Sequence, residues 1–123
     1  MERCPCLSGL PYDECCGPLH RAERRAGTAE QLMRSRYSAY VRREAEYLLD
    51  TWHPSTRPVS LELDPELRWY RLDVLARERG GPLETDGVVE FRAMWRAGTE
   101  RGEQYERSRF RREGGRWLYL DGS

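Results

Sequence analysis

Apolar residues recur on a helical period in the first half of the chain and on a period of two in the second. Leu32, Met33, Tyr37, Tyr40, Val41 and Leu48 fall at near-helical spacing, which predicts a helix with one apolar face. Thr28 is placed to cap it, and Gln31 three residues on completes a capping box. Glu44 interrupts the apolar face, so a break is expected near Arg43, with a second short helix running to about Thr51. His53-Pro54 and Arg57-Pro58 end the helical run, because the residue before a proline is pushed out of the helical region.

After Pro58 the pattern becomes that of strands. Tyr70, Leu72, Val74 and Ala76 alternate with Trp69, Arg71, Asp73 and Leu75. Val89, Phe91, Ala93, Trp95 and Ala97 alternate with Val88, Glu90, Arg92, Met94 and Arg96. Gly80-Gly81-Pro82 and Asp86-Gly87 bound the connection between these two strands. A third strand is expected from about Glu103 to Arg112. Gly114-Gly115 then turns into a fourth, Arg116 to Leu120, and Val59 to Leu63 is expected as a short edge strand. Helices followed by an antiparallel meander make an α+β fold, with the helices packed on one sheet face.

A chain of 123 residues suits one domain with a small appendage. Hydrophobic residues are 38% of it, and four Trp and seven Tyr supply the large apolar groups that a disordered chain lacks. The 21 basic residues, all arginine, are balanced by 21 acidic ones, and a net charge of zero argues against nucleic acid or a membrane surface as partner of the whole chain. No apolar run approaches the ~20 residues of a membrane span, and the N-terminus has no apolar signal core. A cytoplasmic location is therefore expected, where clustered cysteines suggest metal before disulfides.

All four cysteines lie in the first sixteen residues: Cys4, Cys6, Cys15 and Cys16. Four thiolates can hold zinc tetrahedrally at ~2.3 Å if the segment between the two pairs doubles back. Ser8-Gly9 and Leu10-Pro11 are turn-forming residues in the right place. Backbone N–H groups of the turn after Cys6 can face thiolate sulfur. Two disulfides or four unrelated thiols are the alternatives to this zinc knuckle. His20 lies near enough in sequence to replace Cys16 or to sit beside the ligands.

The stretch CPCLSGLPYDECCG resembles the SEC-C motif, a short zinc-binding segment found at the tail of the preprotein translocase motor SecA and in many small bacterial proteins. With LMRSRYSAYVRREAEYLLDTWHPSTRP, from Leu32 to Pro58, it is similar to the YchJ-like family of uncharacterised bacterial proteins. That resemblance implies that Cys4, Cys6, Cys15 and Cys16 are the zinc ligands. It also implies an NTF2-like cone, a curved antiparallel sheet wrapped around the N-terminal helices. The expected layout is a knuckle over residues 1–20, a charged linker over 21–27 and the NTF2-like domain over 28–123. Leu7 departs from the motif, which usually has glycine there.

Such a cone commonly leaves a pocket, whose candidate lining residues are Tyr37, Tyr40, Trp52, His53 and Asp73, with Trp69, Trp95, Trp117 and Tyr119 as further aromatic candidates; for the aromatics, burial in the core is the first expectation, since a polar chain needs them there. His53 could serve proton transfer with Asp73, which would make the domain an enzyme, or it could cap the turn at Ser55 or Thr56. Hydrolase, phosphate-loop and metalloprotease signatures are missing from the sequence. Arg107, Arg109, Arg111 and Arg112 could contact RNA, although nearby glutamates point to a paired, solvated face. The leading expectation is a zinc-binding adapter or ligand-binding protein, not an enzyme, whose partner is a protein or small molecule. Outward Met94, Val88 and Leu75 allow a homodimer through the sheet face.

Overall fold

The computed structural model describes residues 2–123. Residues 2–20 form a compact hairpin and turn. Cys4 N–H donates to Leu10 O at 2.9 Å, Tyr12 N–H donates to Glu2 O at 2.9 Å, and Arg3 pairs with Pro11. A 3-10 turn, Tyr12–Glu14, leads into α1, Cys16–His20. The expected doubling back between the two cysteine pairs is thus what the chain does.

The long helix α2 spans Ala29–Arg42. Thr28 caps it, its hydroxyl accepting from Gln31 N–H at 3.1 Å. Gln31 reaches back as the capping box requires, but one residue further, taking Gly27 N–H at 2.7 Å. The helix ends at Arg43, which adopts a left-handed conformation at φ 60°, and α3, Ala45–Asp50, follows.

Four antiparallel strands follow in meander order: β1 Arg68–Arg79, β2 Asp86–Ala97, β3 Glu100–Glu113 and β4 Arg116–Gly122. The α+β expectation agrees with this architecture, with α2 packed against β1, β2 and β4. A register shift between Trp69 and Arg71 turns Tyr70 outward and leaves Trp69 facing the helix side with Leu72. Gly80 and Gly87 sit where the β1–β2 connection meets the start of α2. A Cβ on Gly87 would lie 2.5 Å from Gly80 Cα, so neither strand end can carry a larger residue without moving.

Two expectations about the sheet need correction. Val59–Leu63 forms no strand; Val59 is fully exposed, and the segment lies outside the sheet between two proline-marked turns. The added edge comes instead from Thr51–His53, where Trp52 pairs in parallel with Tyr119 and His53 N–H donates to Tyr119 O at 2.7 Å. The third strand also begins earlier than expected, at Glu100. A two-residue turn with Gly98 at φ 61° permits it, although Glu100–Gly102 carries no apolar signal.

A single core joins the N-terminal segment to the sheet. Cys4, Cys6, Tyr12 and Cys16 are buried in one cluster with Leu32, Tyr37, Val89, Phe110 and Trp117. Residues 21–27 are tied in as well: Trp117 Nε1–H donates to Gly27 O at 3.3 Å.

Candidate metal centre

The hairpin brings the two cysteine pairs together. The four sulfurs all lie within 4.8 Å of one another, with Cys6–Cys15 at 3.6 Å and Cys15–Cys16 at 4.0 Å. Four sulfurs at ~2.3 Å around one zinc ion would be about 3.8 Å apart, so the spacing fits a tetrahedral ion. All four are free thiols, and these separations are far from the ~2.05 Å of a disulfide bond.

Electrostatics favour a cation here. Contacts from Cys16 and then Cys6 pull the Cys4 thiol far below its ordinary value, with smaller help from the amides of Cys6 and Cys16. Contacts with Cys4 and Cys6, and then burial, push Cys16 far above its ordinary value. The cluster ionises readily once and then resists further ionisation, because each added thiolate faces its neighbours at close range. A divalent cation removes that repulsion and lets all four sulfurs ionise.

Side chains around the sulfurs fasten the cluster to α2. Cys4 Sγ is 3.7 Å from Ser38 Oγ, and Arg34 Nη1–H donates to Cys6 O at 2.8 Å. The Ser8 hydroxyl lies 3.2 Å from Cys15 Sγ. Arg34 is itself held by Glu30 at 2.8 Å, one helical turn earlier.

His20 lies outside the four-sulfur group. Its side chain is 1% exposed, Nε2–H donates to Ser35 O at 2.8 Å, and Nδ1 lies 2.6 Å from the Tyr12 hydroxyl and 2.9 Å from Glu44. Arg42 stacks over Tyr12 at 3.9 Å from the ring centroid. Burial, and then the Glu44 charge, push the Tyr12 hydroxyl up to about 12. These contacts tie the knuckle to Ser35 and Arg42 of α2 and to Glu44 at the start of α3.

A separate cavity of about 280 Å³ lies between α2 and the sheet. Tyr37, Tyr40 and Trp52 line it, as do Trp69 and Tyr119. His53 and Asp73 do not, and they do not meet. His53 is a turn residue: Nδ1 accepts from Ser55 N–H at 3.1 Å and faces Ser55 Oγ at 2.7 Å, while Nε2–H donates to Glu113 at 2.8 Å. Asp73 pairs with Arg71 at 3.1 Å. Trp95 packs over Gly102, and Trp117 belongs to the core.

Arg36 and Glu106 also line the cavity; Arg36 is not among the sequence candidates, and Glu106, expected with Glu103 and Glu113 on the solvated face beside the arginines, turns inward instead. Arg36 had a legible signal, since it sits one turn from Leu32, Met33 and Tyr40 on the apolar helix face. Glu106 shares the inward side of β3 with Ser108 and Phe110, whereas Arg107, Arg109 and Arg111 alternate onto the other face; Arg112 lies on the inward side and packs over Trp117. Arg107 pairs with Glu78 at 2.8 Å, Arg109 with Asp121 at 2.6 Å and Arg111 with Glu113 at 3.8 Å. No helix among the described residues is long and apolar enough to cross a membrane.

Comparison with known proteins points the same way. The family model described as "YchJ, middle NTF2-like domain" matches residues 28–122, and that of the SEC-C motif matches residues 2–18. A UPF0225 protein of Streptomyces coelicolor is 50% identical over 119 residues, covering 97% of this chain and 93% of its own length. One from Corynebacterium efficiens is also 50% identical, covering 95% and 89%. The solution structure of a SEC-C motif containing protein from Rhodopseudomonas palustris superposes with a TM-score of 0.85 at 38% identity, covering 98% of this chain and 96% of that one. A crystal structure of a SEC-C motif containing protein from Psychrobacter arcticus gives 0.79 at 29% identity, covering 96% and 80%.

Proposed function

The chain belongs to the YchJ family of UPF0225 proteins, with a SEC-C motif ahead of an NTF2-like domain, and from that premise we propose a cytoplasmic, zinc-binding protein that captures a ligand without turning it over. The carrying observation is the closed set of four converging sulfurs, Cys4, Cys6, Cys15 and Cys16. A catalytic zinc keeps a position open for water or substrate, and four thiolates fill the tetrahedron. All-sulfur tetrahedral coordination favours zinc over harder divalent ions.

In this reading the metal is a fastener. It draws the knuckle onto Ser38 and Arg34 of α2, the helix whose other residues floor the cavity, and the cavity is where a ligand binds. Protein purified without added metal should carry about one zinc per chain, and a Cys4→Ser variant should lose most of it. A metal-free wild type that remains fully folded with four reactive thiols would refute the reading.

A second role, as a protein adapter, is favoured by one feature of the knuckle. Leu7 and Leu10 stand exposed on its hairpin, at 55% and 50%. A Leu7→Ser, Leu10→Ser variant that keeps zinc should lose any protein partner recovered with the wild type; unchanged recovery would remove this role.

A further inference from the structure

The cavity beneath α2 contains a cation that no carboxylate among the described residues touches, although Glu106 attracts it from across the cavity. Arg36 is 6% exposed, and its Nη1 donates to Leu48 O and Thr51 Oγ1, each at 2.7 Å. Among the described residues it forms no ion pair, and Nη1 is the guanidinium nitrogen that finds acceptors. Its charge is instead set against aromatic faces, 5.1 Å from the Trp52 ring centroid and 4.6 Å from that of Tyr119. Burial drives its pKa down, the mark of a charge held away from water. An arginine buried this way is costly to keep unless something else pairs with it.

Trp52 adds a second donor to the same wall. Its indole N–H is buried and, among the described residues, meets no acceptor. Buried polar groups in folded proteins are nearly always satisfied; the Trp52 N–H is closed off from the cavity space, so of the two it is the Arg36 guanidinium, which lines the cavity, that an acceptor from outside the chain could meet. Across the cavity stands Glu106, which accepts from the Tyr119 hydroxyl at 3.0 Å and from Ser108. Tyr40, Trp69 and Phe91 supply flat apolar surface around these groups.

We propose that this cavity binds a small aromatic carboxylic acid, its carboxylate on the Arg36 guanidinium and a hydroxyl or amino group turned toward Glu106. Guanidinium and carboxylate match as planar, bidentate partners. The volume of about 280 Å³ holds one ring with a short side chain and is too small for a nucleotide. A phosphate dianion fits poorly, since the cavity offers one cation and also carries a carboxylate. A plain cation would face Arg36. The proposal rests on reading the cone as the binding site, but it does not depend on the zinc.

The test uses the full chain with its metal, labelled with ¹⁵N, and follows the Trp52 indole resonance. Three probes share one ring: 4-hydroxyphenylacetate, its neutral amide, and tyramine. The acid should shift the resonance saturably, and the amide and tyramine should bind at least about tenfold more weakly. Arg36→Met removes the cation, and Phe91→Trp fills the space without touching it; each should weaken acid binding at least about tenfold. Equal binding of the amide or of tyramine would overturn the proposal. So would acid binding unchanged in Phe91→Trp, or no saturation by the acid up to about 10 mM. If Arg36→Met does not fold, the amide comparison and Phe91→Trp decide. Zinc measured on the same samples separates the two readings: one zinc per chain without acid binding removes the carboxylate site and leaves the structural metal standing.

Discussion

Leu7 is held at φ 65°, a conformation that suits glycine, in the turn just after Cys6. Left-handed backbone costs a non-glycine residue about 1–2 kcal/mol, so the hairpin that brings the two cysteine pairs together is built under strain. Leu7→Gly should therefore raise stability by up to about 1 kcal/mol, a net figure because glycine also loses more freedom on folding. Thermal unfolding of the metal-loaded protein reads it, and a lower midpoint would contradict it. The four cysteines were legible because their spacing leaves few uses for them. His53 was legible as a residue of interest, and of its two readings the turn prevails, with Ser55 and Glu113 on its two ring nitrogens. His53→Ala should cost about 1–3 kcal/mol of stability while leaving zinc content unchanged. Arg36 is less legible, because helical periodicity marks apolar positions and a lone charge among them has meaning only beside the cavity.

At the scale of elements, α2 carries the fold's local signals most openly. Its cap, its length and the break at Arg43 follow from Thr28, the apolar period and Glu44. Thr28→Ala should cost about 1 kcal/mol, measured by denaturant unfolding, since it leaves the Gln31 amide without its acceptor. Strand register was less legible. The shift at Tyr70 and the early start of β3 depend on cross-strand partners, and no pattern within one strand encodes them. The pairing of Thr51–His53 with β4 likewise joins residues nearly seventy positions apart, out of reach of any local pattern. Arg34→Ala unties the knuckle from the helix. It should weaken zinc retention roughly tenfold, read by competition with a chromogenic chelator, without removing a ligand.

At the scale of the whole molecule, one core serves the knuckle, the helices and the sheet, and its buried tyrosines make it sensitive to alkali. Burial raises Tyr37, Tyr40, Tyr47 and Tyr119, and burial with Glu44 raises Tyr12; Tyr12 and Tyr47 reach about 12. A phenol raised by folding contributes stability that is complete below its unfolded value near 10 and is lost as pH rises through the folded one. Phenolate absorbance from this set should appear only as the helical circular dichroism is lost, above about pH 10. Ionisation of all the tyrosines with the helix signal intact would contradict the packing. In the proposed reading, zinc fastens the knuckle to the helix that floors the cavity, so that metal, knuckle and cone act as one body. Backbone hydrogen exchange with and without a zinc chelator tests it most directly. Protection should fall not only in residues 2–20 but also along α2 around Arg34–Ser38; loss confined to the N-terminal residues, with α2 unchanged, would contradict it.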